Sequence, residues 1–328
     1  MEINTSAENE GVVVQNPGSQ NRAVSIASVT VAYNGAPVLQ RHLEALKKQT
    51  QKITEIVVVN NASTDDTLAL LAAKFPEVTV LNLPENGGVG GGLSAGLEYA
   101  ASTRKHDWVW LFDQDSIPSE DGLGRLLAGL HHLDDAENIA ILAPVNIHPE
   151  TKMPCPGLSW RGGRLVPAPE SAQQITLVDS VITSGSLIRR KAVEAAGLPR
   201  ADFFMDFVDH EHCLRLRRYG FKIVVVRDSL LQHVHGEPSK FKIFGRTKYW
   251  TDHVPWREYY MTRNEVVTIW QYYPNWRTKA FTLYRLARHA LDLVLFGKRK
   301  LACLSMMYCG FKDGRAGRLG IRFPGTSR

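Results

Sequence analysis

Trp108-Val-Trp-Leu-Phe-Asp-Gln-Asp-Ser116 runs through five apolar or aromatic residues without interruption and then stops on two carboxylates, Asp113 and Asp115. A strand with one face in water alternates polar and apolar side chains, so an unbroken apolar run suits a sheet covered by helices on both faces. In open α/β sheets of that kind the binding crevice lies beyond the carboxyl ends of the strands, where the two Asp would stand. Paired hard oxygen ligands there suit Mg2+ or Mn2+ shared with a substrate phosphate. An Asp-rich turn that merely caps its own backbone amides has the same composition.

The surrounding chain supplies the neighbours such a strand needs. Val24 to Ala32 reads as a first strand ending at Tyr33-Asn34-Gly35, and Leu39, Leu43 and Leu46 then mark one face of a helix. Ile56 to Val59 and Val78 to Leu83 read as further buried strands. Between them Ser63 and Asp66 have the spacing of a capping box, opening a helix through Leu68, Leu71 and Phe75. The run Asn86-Gly-Gly-Val-Gly-Gly-Gly92 leads into a helix carrying Leu93, Leu97 and Ala101. Strand and helix alternate up to Leu130, which predicts a doubly wound, mostly parallel α/β sheet flanked by helices.

Later segments continue the pattern. Ile139 to Ala143 and Phe221 to Val226 read as strands, Leu177 to Ile188 as strand structure interrupted at Gly185, and Met153 to Pro169 as an ordered loop. On a helix, Asp206, Asp209 and Cys213 share one face, so both carboxylates would project into a site. Beyond Pro255 the chain becomes helical and aromatic.

Charge is unevenly placed. Residues 271–328 carry 12 Lys and Arg against Asp292 and Asp313, a local excess of +10; the whole chain is +6, which leaves −4 on the rest. A basic tail on a mildly acidic body suits an anionic partner, whether membrane surface, phosphorylated lipid or nucleic acid, although a solvated basic face has the same composition. The four cysteines lack metal-ligand spacing, which argues against zinc or a disulfide framework and fits a reducing cytoplasm. Residues 1–22 are polar, without a signal-peptide apolar core, and read as a disordered leader. No stretch supplies the roughly 20 apolar residues that a spanning helix needs.

Gly90-Gly-Gly92-Leu-Ser-Ala95 formally fits the dinucleotide pattern G-x-G-x-x-A, but that fingerprint belongs to the first strand–helix turn, and this run follows the third strand. No Gly-Lys-Ser/Thr follows, so a P-loop is excluded. Two readings remain: bare backbone lying against a nucleotide or sugar, or a flexible turn before a helix. His233 and His235 lie in a loop after a strand, where one of them, brought near Asp115, would complete a divalent site. A loop histidine on the surface is the plainer reading.

Taken in order, strand–Tyr33-Asn34, strand–Asn60-Asn-Ala-Ser-Thr-Asp65, Asn86-x-Gly-x-x-Gly91, Phe112-Asp-Gln-Asp-Ser116, Gly185-Ser-Leu-Ile-Arg-Arg190, Asp206-Phe-Val-Asp-His-Glu-His-Cys-Leu-Arg215 and His233-x-x-Gly236 resemble the motifs of family 2 inverting glycosyltransferases with the GT-A fold. The nearest resemblance is to the bacterial rhamnosyltransferase branch, across residues 24–270.

The resemblance implies a donor pocket formed by Ala32, Tyr33, Asn34, Asn60, Ser63, Asn86, Gly88, Gly91, Asp113, Gln114 and Arg263. It implies Mg2+ or Mn2+ held by Asp115 and His233, and a general base at Asp209. Arg257 or Arg263 would reach a phosphate of donor or acceptor, with an ordinary helix-surface Arg as an equal reading of either. Asn60 stands where the family has Asp, Ser94 where it often has Asn, and Val208 where many members carry Glu, so base and sugar recognition depart from the common pattern. The implied activity is metal-dependent transfer of L-rhamnose from dTDP-rhamnose to a cell-surface polysaccharide or lipid-linked glycan, at the inner face of the cytoplasmic membrane and without nucleic acid. The alternatives are another hexose from a UDP-sugar or, outside the class, a non-catalytic nucleotide- or carbohydrate-binding module. An NAD(P) oxidoreductase would need its cofactor at the glycine run. The expected organisation is a leader (1–22), a GT-A domain (23–270) and a basic helical C-terminal extension (271–328).

Overall fold

The computed structural model describes residues 24–150, 152–155, 157–161, 164–169, 173–233, 239–243 and 246–323; the expected leader lies outside them. Strands β1 (Ile26–Ala32), β2 (Glu55–Asn60), β3 (Thr79–Asn82) and β4 (Trp108–Asp113) are joined through α1 (Ala36–Lys47), α2 (Thr67–Lys74) and α3 (Gly88–Leu97). They pair in parallel in the order β4-β1-β2-β3. Val109 and Leu111 of β4 enter one apolar cluster with Val29, Leu93 and Leu97. Trp108, Trp110 and Phe112 enter another with Leu39, Leu43 and Leu126. Both faces of β4 are therefore buried, which accounts for its unbroken apolar sequence.

The chain continues through β5 (Ile117–Pro118), α4 (Gly122–Ala128), β6 (Ile139–Ile147) and β7 (Pro154–Cys155). Where a loop was expected, β8 (Leu158–Arg161) and β9 (Arg164–Pro167) form a hairpin. Residues 177–188 are not one strand: β10 (Ile175–Val178) and β11 (Leu187–Arg189) flank a turn at Gly185, whose φ of +82° suits glycine. After α5 (Arg190–Ala196) and α6 (Val208–Arg218) comes β12 (Lys222–Gln232). The main sheet runs β10-β12-β6-β11-β4-β1-β2-β3. Antiparallel β11 sits between β4 and β6, so the sheet is mixed but mostly parallel along its central path.

A second hairpin, β13 (Ser239–Ile243) and β14 (Arg246–Trp250), leads to three helices, α7 (Pro255–Tyr272), α8 (Trp276–Phe296) and α9 (Lys300–Arg315). Helix α9 lies close along α7 because its glycines allow it: a Cβ on Gly314 would come within 2.9 Å of the Arg263 carbonyl oxygen. The Tyr259 hydroxyl donates to Asp313 Oδ2 at 2.8 Å across the same contact. The expected boundary at 270/271 falls inside α7. No helix among the described residues is long and apolar enough to cross a membrane.

Candidate active site

Asparagine side chains lace together the loops that leave β1, β2 and β3. Asn34, at φ +46°, donates its backbone N–H to Ser63 Oγ at 3.1 Å, and its Oδ1 accepts from Thr64 N at 2.7 Å. Asn60 is buried; its Oδ1 accepts from Ser63 N at 3.1 Å and its Nδ2 donates to Asn82 at 2.9 Å. Asn61 accepts from Gly87 N and donates to Asn86 and to the Gly88 carbonyl. Ser63 is not a helix cap; α2 starts at Thr67 with Asp66 at the N-cap position, and Asp65, one residue earlier, accepts from Thr67 N at 3.1 Å through Oδ1 and from Ala36 N at 3.1 Å through Oδ2.

The end of β4 is fixed from below. His42 of α1 is fully buried; its Nδ1 bonds to the Ser116 carbonyl at 2.5 Å and its Nε2 meets the Thr30 hydroxyl at 2.8 Å. Burial pushes its pKa down to about 4. A neutral ring, with one donor and one acceptor, matches those two partners. Nothing in the spacing of α1 distinguishes His42 from an ordinary core position.

Asp113, Asp115 and His233 converge at this edge, each offering a ligand atom within 4.8 Å of the others. His233 Nδ1 lies 3.1 Å from Asp115 Oδ1 and 3.0 Å from Ser116 Oγ, and its Nε2 lies 3.7 Å from Asp113 Oδ2. Asp115 Oδ1 is buried with no hydrogen-bond donor aligned on it. Two carboxylates and an imidazole, with the buried Asp115 Oδ1 in contact with His233 but without an aligned hydrogen bond, form a donor set that fits Mg2+ or Mn2+. Enclosure pushes the Asp113 carboxyl up to about 6 although a third of its side chain stays open; His233 and Arg257 oppose the rise, and the charges of Asp115 and Asp209 add to it. For His233 burial works against the charged form, but the contacts with Asp115 and Asp113 outweigh it and raise the pKa. His235 and Gly236 lie outside the described residues.

Asp209 stands in the first turn of α6, about a quarter exposed, its Oδ1 accepting from His210 N at 2.8 Å. The loop before it is contorted: Phe204, Asp206 and Phe207 have φ of +65°, +56° and +62°. Side chains of this kind rarely adopt that region, so the surroundings must enforce it. Asn264 Nδ2 donates to the carbonyls of Phe203, Met205 and Asp206, while Arg263 donates to those of Asp202 and Phe203. Arg257 grips the Asp206 carboxylate through two nitrogens at 3.1 and 3.0 Å.

Several expectations are corrected by these contacts. Asp206 does not share a helix face with Asp209, because α6 begins at Val208 and Arg257 holds Asp206 outside it. Arg263 is wholly buried with its guanidinium on backbone carbonyls, so it shapes the loop rather than touching a donor. Gln114 pairs both ends of its amide with the Tyr33 backbone, at 3.0 Å each, and positions Tyr33. Asn60 is buried with both ends of its amide engaged, by Ser63 N and by Asn82, and so braces the loop after β2. The glycine run is helical from Gly88: Gly88 packs on Phe204, Gly90 N donates to the Phe204 carbonyl, and Gly92 packs on Val31. Gly91 alone of this run faces open space. Asn264 and His42 were missed by sequence reasoning because their partners lie far away in the chain.

The sequence profile described as glycosyl transferase family 2 matches residues 28–195, from β1 into α5. The chain belongs to that family. Among family relatives, a dTDP-rhamnosyl transferase, RfbF, of Shigella flexneri is 28% identical over 242 residues, covering 73% of this chain and 78% of that protein. A galactofuranosyltransferase, GlfT1, of Mycolicibacterium smegmatis is 26% identical over 205 residues, covering 60% and 66%. The crystal structure of GalNAc-T7 with UDP, GalNAc and Mn2+ superposes with a TM-score of 0.54 at 15% identity over 74% of this chain, which spans about half of that one (48%). The shared architecture is the GT-A fold expected from the sequence.

Proposed function

We propose that this chain is a metal-dependent inverting glycosyltransferase that moves L-rhamnose from dTDP-rhamnose onto a cell-surface polysaccharide or lipid-linked glycan. The observation that carries the reading is the convergence of Asp113, Asp115 and His233 at the carboxyl edge of the sheet, within electrostatic reach of Asp209. Asp115 and His233 would hold a divalent ion, which when bound would supply Lewis-acid charge at the leaving diphosphate, typically worth several kcal/mol. Asp209 accepts the proton of the acceptor hydroxyl, and the freed oxygen attacks the anomeric carbon opposite the diphosphate. The bond from that carbon to the diphosphate breaks, its electron pair leaves with the nucleotide, and configuration inverts. Ala32, Tyr33, Asn34, Ser63, Asn86 and Gly91 surround the donor in this reading, with Asp113 toward its ribose or sugar.

Rhamnose is favoured by the similarity to the dTDP-rhamnosyl transferase; a different hexose from a UDP-sugar is the second reading, since a galactofuranosyltransferase is nearly as similar. Calorimetric binding of dTDP, UDP, GDP and NAD+, with Mn2+ or Mg2+ and again with chelator, separates them. Metal-dependent preference for dTDP supports the proposal, and preference for UDP changes the donor. Binding of NAD+ alone, indifferent to metal, overturns the enzyme class.

The reading extends to a peripheral site on the inner face of the cytoplasmic membrane. Helix α8 exposes Trp276, Leu283, Tyr284, Leu291, Val294 and Leu295, and Lys298, Arg299 and Lys300 follow it. An exposed apolar stripe beside basic residues suits an anionic leaflet. Co-sedimentation with anionic vesicles, lost in the double variant Leu291→Glu and Leu295→Glu, supports it; equal sedimentation of both proteins removes it.

A further inference from the structure

A cavity of about 210 Å3 opens between the β8–β9 hairpin, the start of α6, and helices α7 and α8. Trp160, Phe207 and Phe281 give it aromatic surface, and His210, Glu265 and Arg285 bring polar groups to it. Trp160 is a firm wall: Tyr273 stacks on it at 3.6 Å with the rings 6° from parallel. Glu265 is 7% exposed and meets Arg285 at 3.3 Å. Burial pushes its carboxyl pKa up, against the charges of Arg285, His289 and His210. Glu265 is buried while the Arg285 side chain is about half exposed, so the pair is a weak device for stability, and a desolvated carboxylate at the wall of an aromatic cavity asks for a ligand.

Position supplies the next step. His210 follows Asp209 directly, and its Nδ1 lies 3.8 Å from Asp209 Oδ1. The cavity is thus one side chain away from the proposed base. It is smaller than the roughly 300 Å3 at which pockets for drug-sized ligands begin, which suits a single sugar ring rather than a nucleotide. The Glu265 carboxylate disfavours phosphate, whereas a carboxylate beside a guanidinium offers hydroxyls both an acceptor and donors.

We propose that this cavity is the acceptor subsite, seating one neutral hexose of the acceptor glycan with its C–H face on the aromatic wall and its hydroxyls on Glu265, Arg285 and His210. The inference rests on the glycosyltransferase reading above and names its second substrate. One ring hydroxyl is then directed at Asp209, and the remainder of the glycan leaves through the mouth of the cavity.

Saturation-transfer NMR on the full chain, with methyl glycosides of glucose, galactose, rhamnose and N-acetylglucosamine at millimolar concentration, tests this. At least one glycoside is expected to receive saturation. Leu165→Trp, which fills the cavity from the hairpin, should abolish the signal, and Glu265→Gln should weaken affinity by about tenfold or more. Failure of every glycoside to bind the unaltered protein overturns the proposal, as does a signal that survives Leu165→Trp unchanged. Metal-dependent nucleotide binding, read in the same samples, shows that the variants are folded and reports separately on the donor site. If it fails while glycoside binding still depends on the cavity, the donor reading falls and the acceptor subsite stands.

Discussion

The side-chain amide of Asn264 lies 3.0 Å from the carbonyl oxygen of Asp206, and the same nitrogen reaches Met205 at 2.7 Å and Phe203 at 3.0 Å. A fully buried residue of α7 thereby holds a loop whose three left-handed side-chain residues cost about 1–3 kcal/mol each. Asn264→Leu strands those carbonyls in the interior. The expected loss of unfolding free energy is about 2–4 kcal/mol, read by chemical denaturation, with turnover falling further than the loss of folded protein explains. A change within about 0.5 kcal/mol, ordinary for an inconsequential site, would remove the clamp from the account.

Asp115 contributes the buried oxygen that has no aligned donor. Asp115→Asn keeps the shape and removes the charge, so Mn2+ affinity should fall at least about tenfold, as losses of ligands and their supports do. Electron paramagnetic titration of free Mn2+ reads this without turnover. Undiminished Mn2+ affinity would place the ion elsewhere.

Asp209 is the proposed base, and it is partly open to solvent beside the cavity wall. Asp209→Asn should lower kcat by about 10²–10⁴-fold while nucleotide binding by calorimetry stays within a factor of about two of the unaltered protein. Retention of more than about a tenth of the turnover would falsify the role.

The joint between α7 and α8 should be pH-dependent. Glu258 is buried, with Oε1 3.2 Å from His253 Nδ1 and Oε2 2.8 Å from His289 Nε2. Burial opposes its charge, but the two histidine hydrogen bonds prevail and hold its pKa near about 2. For His289 burial again opposes charge, and Glu258 wins and raises the pKa. The Glu258 contribution is complete above its ordinary value of 4.5 and is lost as pH falls toward about 2. The His289 contribution is complete below 6.5 and is lost as pH rises past its folded value. The joint is therefore strongest between pH 4.5 and 6.5. The difference in melting temperature between the unaltered protein and Glu258→Gln should be greatest in that window and shrink on either side of it; a difference that does not vary with pH would count against the coupling.

What the sequence made legible was local in character. The apolar run of β4 announced a doubly covered strand, and its terminal Asp pair announced the edge where His233 now meets it. Side chains whose partners sit far away were not legible. Asp206 looked helical by spacing, but Arg257 holds it outside α6. Gln114 belonged to a recognisable motif, yet its amide faces the Tyr33 backbone. Arg263 looked like a phosphate ligand because charge is visible in a sequence and burial by α7, α9 and the 202–206 loop is not.

The glycine run sets a tightly packed position beside an open one within two adjacent residues of α3. A Cβ on Gly92 would meet Val31 Cγ1 at 2.5 Å and Cγ2 at 3.0 Å, whereas one on Gly91 would meet nothing within 4 Å. The first contact presses the helix onto β1, and overpacking of that kind costs about 1–3 kcal/mol. Gly92→Ala should destabilise by that amount. Gly91→Ala should be neutral or stabilising by about 0.5–1 kcal/mol, because glycine is the poorer helix residue. If the open face of Gly91 borders the donor, the larger Gly91→Leu keeps its stability but weakens nucleotide binding at least about tenfold. Denaturation and calorimetry on the three variants give both readings. A Gly91→Leu protein that binds nucleotide normally would leave the whole run with a packing role and move the donor away from the first turn of α3.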